Sequence, residues 1–190
     1  MVTSRALYFA FLALLGLERL FELRLSRRNA AAAFARGGVE VGKRHFRVMA
    51  ALHMAFLASC ALEVVVLGRA FPGALGFAAL LAALCAQALR YWAIATLGRR
   101  WNVRVVVVPG EAPVTSGPYR FVRHPNYAAV ILEMAAVPLI HGAFWTAALF
   151  SCANAAVIAV RIRAEERALG GAWARAFAGL PRLVPGAFRG

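Results

Sequence analysis

GPYRFVRHPNYAAVILE, residues 117–133, joins a basic, turn-forming stretch to an apolar segment. Pro125 suits the first position of an α-helix, because the N–H that proline lacks is not needed there. His124 is then the predicted N-cap residue. The free backbone N–H groups and the positive end of the helix dipole would lie beside Arg120 and Arg123, an arrangement that favours an anion. Arginines beside a membrane also contact anionic lipid headgroups, so charge alone leaves both interpretations open.

The helix that follows His124 carries a carboxylate in an otherwise apolar segment. Helical spacing places Asn126 and Glu133 on the same face. Ionisable side chains are costly to hold near lipid and usually face the interior of a helix bundle or an aqueous pocket. The polar residues of other apolar segments, which are Glu18, Glu22, Glu63, Gln87 and Arg90, are expected to face inward in the same way. For Glu18, Glu22 and Glu63, a structural ion pair with Arg19, Arg90 or another nearby cation is an equally good interpretation.

The composition decides between a nucleic-acid binder and a membrane protein. A net charge of +14 would suit nucleic acid. However, 62% of the 190 residues are hydrophobic and the mean hydropathy is +0.68. The core of a soluble protein of this size could not enclose so many apolar residues, which indicates a membrane protein. We therefore expect a single membrane-embedded domain, residues 1–190, and no nucleic-acid partner.

Five apolar segments are candidates for membrane-spanning helices, which need about 20 residues each. The last two form one long apolar run broken around Pro138 and Gly142, and this pattern predicts a tight C-terminal helical hairpin. The expected fold is an all-α, polytopic membrane protein with about five transmembrane helices. The predicted spans are 6–20, 46–67, 71–94, 125–140 and 143–160.

The basic residues predict which side of the membrane each loop occupies. If the helices alternate in direction, residues 21–47, 95–126 and 161–190 share one side, and they contain 18 of the 22 Lys and Arg residues. The positive-inside rule places that side in the cytoplasm. We therefore predict a protein of the bacterial cytoplasmic (inner) membrane whose first helix is retained and whose active site faces the cytoplasm.

An amphipathic helix is predicted after the last span. One stripe of this helix is apolar apart from Glu166, which we expect to face inward. Glu165 lies one turn after Arg161 and could pair with it. An inward carboxylate on the same side of the membrane as the arginine-rich helix start would suit a zwitterionic ligand. The members of the stripe are Ile162, Glu166, Leu169, Trp173 and Phe177.

Cysteine and histidine spacing gives no indication of a metal or redox site. Cys60, Cys85 and Cys152 lie in three different predicted spans, and no motif pairs them with histidines. We expect these thiols to be buried as small apolar groups, and we expect no metal.

Three stretches together resemble the isoprenylcysteine carboxyl methyltransferase family. They are GPYRFVRHPNYAAVILE, RAEERALGGAWARAF and PRLVP, within residues 85–186, and the related phospholipid methyltransferases share the G-x-Y-x-x-x-R-H-P-x-Y core. The resemblance implies an integral membrane enzyme that uses S-adenosyl-L-methionine to methylate a lipid-borne group at the cytoplasmic face. Ala128 and Ala129 stand where the family often has a glycine, a difference expected to affect packing only.

The resemblance also implies which residues bind the cofactor. These candidates are Gly117, Tyr119, Arg123, His124, Tyr127, Glu165 and Glu166. The basic and aromatic side chains around the helix start make Trp92, Arg120 and Phe121 the candidates for binding the acceptor, and Trp101 could also flank its lipid tail. For the aromatic residues, and above all for Trp101, anchoring at the membrane interface is the alternative. The catalytic candidates are Arg123 and Glu133.

The methyl acceptor is expected to be an oxygen anion on a lipid. The N-terminal half, about residues 17–63, resembles a bacterial branch that methylates alkylpyrones or related phenolic lipids. A prenylcysteine carboxylate would suit the same chemistry. The alternatives are a phospholipid N-methyltransferase and a non-enzymatic membrane subunit or transporter, and the sequence leaves the oligomeric state open.

Overall fold

The structure, a computed structural model, describes residues 2–185. In this part of the chain it contains five α-helices, a two-stranded antiparallel sheet and two 3₁₀ turns, Gly98–Arg100 and Gly117–Arg120. The predicted all-α, five-helix architecture is confirmed. The elements are α1 (Val2–Phe34), β1 (Val39–Val41), α2 (Lys43–Val66), α3 (Ala74–Leu97), β2 (Val105–Val107), α4 (Pro125–Leu139) and α5 (Phe144–Ala176).

Three of the helices in the described residues are long and apolar enough to cross a membrane. The qualifying segments are Phe46–Val66, Ala74–Arg100 and Phe144–Ala176. The other two helices fall short of the predicted spans for different reasons. Charged residues interrupt the apolar part of α1, and the 15 residues of α4 extend only about 22 Å, less than a hydrocarbon core of about 30 Å.

Contacts at the two ends of the bundle show that the helices alternate in direction. At one end, Arg5 near the start of α1 donates to the carbonyl of Arg69, which follows α2. At the other end, β1 after α1 pairs with β2 after α3. This second end holds the predicted basic segments, and we call it the basic end. Arg189, part of the last basic segment, lies outside the described residues.

Helices α4 and α5 begin and end largely where proline and glycine predict. His124 is the N-cap of α4, as predicted, although its side chain does not cap the helix, and Pro125 is the first helical residue. The predicted last span and the amphipathic segment form one helix, α5, because no helix-breaking residue separates them. Gly170 (φ 72°) interrupts it, a conformation that favours glycine.

The strands were not predicted. Val39 pairs with Val107 and Val41 with Val105, so this short sheet ties the end of α1 to the segment that follows α3. Three consecutive valines favour extended backbone, because branching at Cβ restricts the side chain in a helix.

Helices α3 and α4 pack closely through small residues. Ala83, Ala86, Ala93 and Ala129 have no exposed surface. A Cβ atom on Gly76 would lie 2.9 Å from the carbonyl oxygen of Ile140, so a larger residue there would force the chain apart. Close approach through small side chains is the usual means of packing helices in a membrane.

Two of the three cysteines differ from the prediction. Cys60 is fully buried, whereas Cys85 and Cys152 lie on the exposed surface of their helices. Exposed positions on apolar helices are compatible with cysteine, because the thiol behaves as a small apolar group.

Candidate active site

A cavity of about 1110 Å³ extends from the basic end into the helix bundle. Its walls come from α1, α2, the last part of α3, the segment between α3 and α4, and the adjoining parts of α4 and α5. The part near the start of α4 is polar and aromatic. The part between α1 and α2 is mainly apolar. The cavity therefore combines two chemical environments that a polar cofactor and a lipid would each require.

Tyr127 links two charged residues of α5 at the polar part of the cavity. The Arg161 Nε donates to the Tyr127 hydroxyl at 2.7 Å, and that hydroxyl donates to Glu165. Arg161 also donates to the carbonyl of Val103, so it connects α4, α5 and the segment after α3. The local pair predicted between Arg161 and Glu165 is replaced by a bridge through Tyr127.

His124 and Arg123 join the start of α4 to the C-terminal segment. The His124 ring lies 3.2 Å from Glu166 through Nε2, and Arg182 donates to the same carboxylate at 2.7 Å. The hydrogen bond to Glu166 raises the pKa of Arg182 above its usual value. Arg123 donates from Nε to the carbonyl of Leu180 at 2.6 Å. These contacts hold the C-terminal segment against the start of α4.

Aromatic side chains form one wall of the polar part. Tyr119, Trp173 and Phe177 are buried and belong to the same apolar cluster. The rings of His124 and Trp173 lie 5.5 Å apart. Burial, reinforced by the charge of Glu165, raises the pKa of Tyr119, so its hydroxyl keeps its proton and can donate a hydrogen bond.

Four buried side-chain atoms of residues on the cavity wall lack hydrogen-bond partners among the described residues. Two are guanidinium nitrogens, one of Arg19 and one of Arg90. The other two, which belong to residues near the polar part, are the side-chain oxygen of Asn126 and the indole nitrogen of Trp101. One accepts and the other donates, and leaving either unpaired in the interior is unfavourable. A ligand that offers both an N–H group and an acceptor oxygen, as an amino acid does, would satisfy both.

The apolar part of the cavity opens sideways between α1 and α2. Leu17, Leu20 and Met54 line the cavity, and yet each leaves more than half of its surface exposed. Side chains that belong both to a cavity and to the outer surface mark an opening. Phe46–Val66 of α2 is long and apolar enough to span a membrane, so an opening beside it would face lipid.

Buried ionic contacts hold α1, α3 and α4 together beside the cavity. Glu22 accepts two hydrogen bonds of 2.6 Å from Arg90, and both residues are buried. Arg19 lies 3.0 Å from Glu22 and 3.3 Å from Glu133. The interpretation of these residues as partners of one another is therefore correct, although Arg19, Glu22 and Arg90 also line the cavity.

The cavity brings together most of the residues proposed for cofactor binding. Tyr119, Arg123, His124, Tyr127 and Glu165 line it. Glu166 does not line the cavity, and its carboxylate contacts His124 and Arg182. The neighbouring residues Glu165 and Glu166 therefore have different surroundings.

Gly117 supports the cavity from outside its wall. Its φ of 58° favours glycine, and a Cβ atom there would collide with Thr96 of α3. Gly117 therefore allows the turn that carries Tyr119 to pack against α3.

The residues proposed for acceptor binding lie outside the cavity lining. The rings of Trp92 and Phe121 form an edge-on pair 6.3 Å apart, and Arg120 lies 4.5 Å from the Phe121 ring centre. All three side chains are exposed.

The two catalytic candidates are not brought together either. Arg123 lines the cavity, whereas Glu133 is buried in the ionic contacts with Arg19.

Three residues of the cavity were missed or misread from the sequence. The sequence indicates Arg161 only as a local ion-pair partner of Glu165 and gives no sign that His53 lines a cavity. Trp101 is 2% exposed and lines the cavity, so the prediction that it anchors at the membrane interface is wrong. Burial of Trp101 depends on Asn29 of α1, which donates to its carbonyl at 2.7 Å across the fold. No local pattern reveals such a contact.

Comparison with known proteins identifies the family. The model of the isoprenylcysteine carboxyl methyltransferase (ICMT) family matches residues 78–171. The uncharacterized protein YpbQ of Bacillus subtilis (strain 168) is 39% identical over 165 residues, covering 86% of this chain and 96% of YpbQ. The chain belongs to the ICMT family. A second relative in Haemophilus influenzae, also uncharacterized, is 29% identical over 154 residues, covering 80% of this chain and 88% of its own length.

Membership of the ICMT family confirms the resemblance seen in the sequence. The matched residues begin in α3 and end in α5, so they include the start of α4 and both Glu165 and Glu166. Helices α1 and α2, which supply the apolar part of the cavity, lie outside the match. The family and the three apolar helices together identify an integral membrane protein.

Proposed function

We propose that this ICMT-family protein is an S-adenosyl-L-methionine-dependent O-methyltransferase that acts on a lipid. The carrying observation is one cavity with a polar, aromatic part at the basic end and an apolar part open to lipid. A polar methyl donor and an apolar acceptor could meet there without either leaving its preferred solvent. A role as a structural subunit or a transporter would not explain why a polar part and an apolar part share one cavity.

The polar part of the cavity fits the charged groups of the methyl donor. Glu165 could bind the ammonium group of the methyl donor, and Arg123 could bind its carboxylate, because each side chain is opposite in charge to the group that it would bind. The buried oxygen of Asn126 and the indole N–H of Trp101 would gain the partners that they lack. Tyr119 and Trp173 offer aromatic surfaces for a purine ring. When bound, S-adenosyl-L-methionine supplies the methyl group on a sulfonium.

The protein's contribution is to orient the reactants and to exclude water. A nucleophilic oxygen must lie in line with the methyl carbon, so alignment in a closed cavity is the main requirement. Opposite charges on the acceptor oxygen and the sulfonium disappear during transfer, and a cavity less polar than water does not oppose that loss. Arg161, fixed by Tyr127 and Val103, adds positive charge near the acceptor oxygen.

We place the basic end in the cytoplasm on the positive-inside rule. Ala35 and Ala112 are exposed at that end, and Ala70 is exposed at the other. Cysteines introduced at Ala35 or Ala112 are expected to resist a membrane-impermeant thiol reagent in intact cells, and one at Ala70 to react. Reaction at Ala35 without reaction at Ala70 would reverse this orientation.

Transfer of a labelled methyl group tests the proposed activity. The purified protein in lipid is incubated with labelled S-adenosyl-L-methionine and, separately, with a long-chain alkylpyrone, a long-chain alkylphenol, a farnesylated cysteine or phosphatidylethanolamine. We expect labelling of at least one of the first three. Labelling of phosphatidylethanolamine alone would show an N-methyltransferase, and failure to bind the methyl donor would overturn the proposal.

A further inference from the structure

Exposed basic residues frame the sideways opening of the cavity on the side of the basic end. Three lie on α1 and three on α2, and we call them the cationic rim. They are Arg24, Arg27, Arg28, Lys43, Arg44 and Arg47. We propose that the cationic rim binds the headgroups of anionic phospholipids in the surrounding bilayer. This interaction surface lies outside the proposed methyl-transfer site, and the inference does not depend on that reaction.

On α1, the cationic rim continues the stripe of residues that forms the opening. Leu17 and Leu20 line the cavity and are also exposed. Arg24 follows Leu20 by four residues, and Arg28 follows Arg24 by four more. Arg27 follows Arg24 by three residues. Residues with this spacing lie on the same side of a helix, so the three arginines extend the edge of the opening toward the basic end.

The three cations of α2 have the matching arrangement on the other edge. Met54 lines the cavity and is exposed at the opening. Arg47 precedes Met54 by seven residues, and Arg44 and Lys43 precede Arg47 by three and four residues. They too lie on the side of the helix that faces the opening. The helical rise places Arg47 about 10 Å from Met54, in the direction of the basic end.

The cationic rim lies at the depth of the lipid headgroups. The apolar segment of α2 that is long enough to span a membrane begins at Phe46. Lys43 and Arg44 come before it, and Arg47 is its second residue. Headgroups occupy the zone directly outside the hydrocarbon core. A phospholipid whose headgroup contacts the cationic rim would therefore extend its acyl chains across the opening.

The charge of the cationic rim is not neutralised within the described part of the chain. All six residues are exposed, and none forms an ion pair or a side-chain hydrogen bond with the described side chains. By contrast, Arg36 and Arg100 at the same end both contact Glu111. Exposed, unpaired cations beside a membrane attract the negative charge of anionic lipids.

The positive-inside rule accounts for only part of this arrangement. It explains why basic residues lie on one side of the membrane, and it is satisfied by any position around a helix. Here the cations of two separate helices lie on the sides that frame one opening. That placement is what a bound headgroup requires, and it sets the cationic rim apart from basic residues that only determine topology.

Fluorescence quenching beside the cationic rim measures which lipid lies there. Phe21 is exposed on α1, three residues before Arg24. Phe21→Cys can carry a thiol-reactive fluorophore once the exposed Cys85 and Cys152 are replaced by alanine. The labelled protein is placed in phosphatidylcholine bilayers that contain brominated phosphatidylglycerol or, separately, brominated phosphatidylcholine. Bromine quenches at short range, so the two quenching curves give the relative association of the two lipids.

Two triple variants separate the cationic rim from the general charge of the basic end. The rim variant combines Arg24→Gln, Arg27→Gln and Arg28→Gln. The control variant removes the same number of exposed, unpaired arginines from α5, through Arg163→Gln, Arg167→Gln and Arg175→Gln. A third variant replaces the three rim arginines by lysine and so keeps their charge. All three should unfold at the wild-type temperature, because the substituted side chains are exposed.

Wild-type protein should prefer phosphatidylglycerol over phosphatidylcholine at least about fivefold at this position. The rim variant should reduce the preference to within about twofold, whereas the control and lysine variants should keep it. Equal quenching by the two lipids in wild type would overturn the inference. So would a preference that survives in the rim variant, or one that falls equally in the rim and control variants, since the charge of the whole basic end would then be responsible.

Discussion

Glu63 and Glu165 are both carboxylates at an end of the helix bundle, but their surroundings differ. Glu63 accepts hydrogen bonds from Arg69 at 2.9 Å and from the Thr146 backbone and hydroxyl at 2.7 and 2.8 Å. It thereby supplies acceptors for the free N–H groups at the start of α5. Glu165 accepts from Tyr127 and borders a cavity where the oxygen of Asn126 is unpaired. A carboxylate whose oxygens are all hydrogen-bonded joins helices, whereas a carboxylate beside a cavity that can accept further hydrogen bonds can bind a ligand.

The largest expected effect concerns the fully paired carboxylate. Glu63→Ala should lower the free energy of unfolding by about 3–5 kcal/mol, because it leaves the Arg69 charge and the start of α5 without their partner. Denaturation in mixed detergent micelles measures the change. Arg36→Ala removes a half-exposed ion pair with Glu111 and should cost no more than about 1 kcal/mol. Equal effects of the two substitutions would contradict a special structural role for Glu63.

A smaller effect, on binding rather than folding, is expected at the other end. Glu165→Gln should weaken the affinity for S-adenosyl-L-methionine about 10- to 150-fold, because a charge-assisted contact in a partly buried site is lost. Calorimetric titration measures the affinity. Glu166→Gln is the matched control: its partner Arg182 is largely exposed, so we expect a loss of no more than about fivefold. A larger loss in the control would restore Glu166 as the principal cofactor contact, as the inward stripe of the sequence predicted.

The difference between the two ends also explains what the sequence predicted well. Pro125 and His124 mark the start of α4 because proline acts on its own backbone and on the preceding residue. Helical spacing predicts the inward stripe, and Ile162, Trp173 and Phe177 are buried, although Gly170 interrupts the helix between Ile162 and Trp173. These features depend on neighbours within a few residues, which a sequence displays directly.

Features that depend on distant residues were harder to predict. The Arg90–Glu22 pair joins residues 68 positions apart, and Glu63 contacts Thr146 from 83 positions away. His53 lines the cavity only because α2 packs beside it, and no local spacing indicates that contact. Trp92 is a residue type that often contacts lipid, but it lies outside the cavity lining. Tertiary packing decides which side of a helix faces a cavity, and the sequence alone does not show it.

The smallest effect is expected at that outer surface. Trp92→Ala should change the KM for the lipid acceptor by less than about threefold, because an exposed aromatic pair with Phe121 contributes only about 0.5–1.5 kcal/mol, and to folding rather than to the cavity. Initial rates over a range of acceptor concentrations test this. A tenfold rise in KM at unchanged cofactor affinity would show that the acceptor also uses the outer surface.

Binding of S-adenosyl-L-methionine to two alanine-to-tryptophan variants of α5 tests the shared cavity most directly. Ala168 lines the cavity, whereas Ala174 is exposed on the same helix and does not. Titration of wild-type protein and of Ala174→Trp should show saturation with one equivalent at similar affinity. Ala168→Trp, which fills the polar part of the cavity, should bind at least about tenfold more weakly. Equal affinity in the two variants, or no binding to wild type, would contradict the assignment of this cavity to the methyl donor.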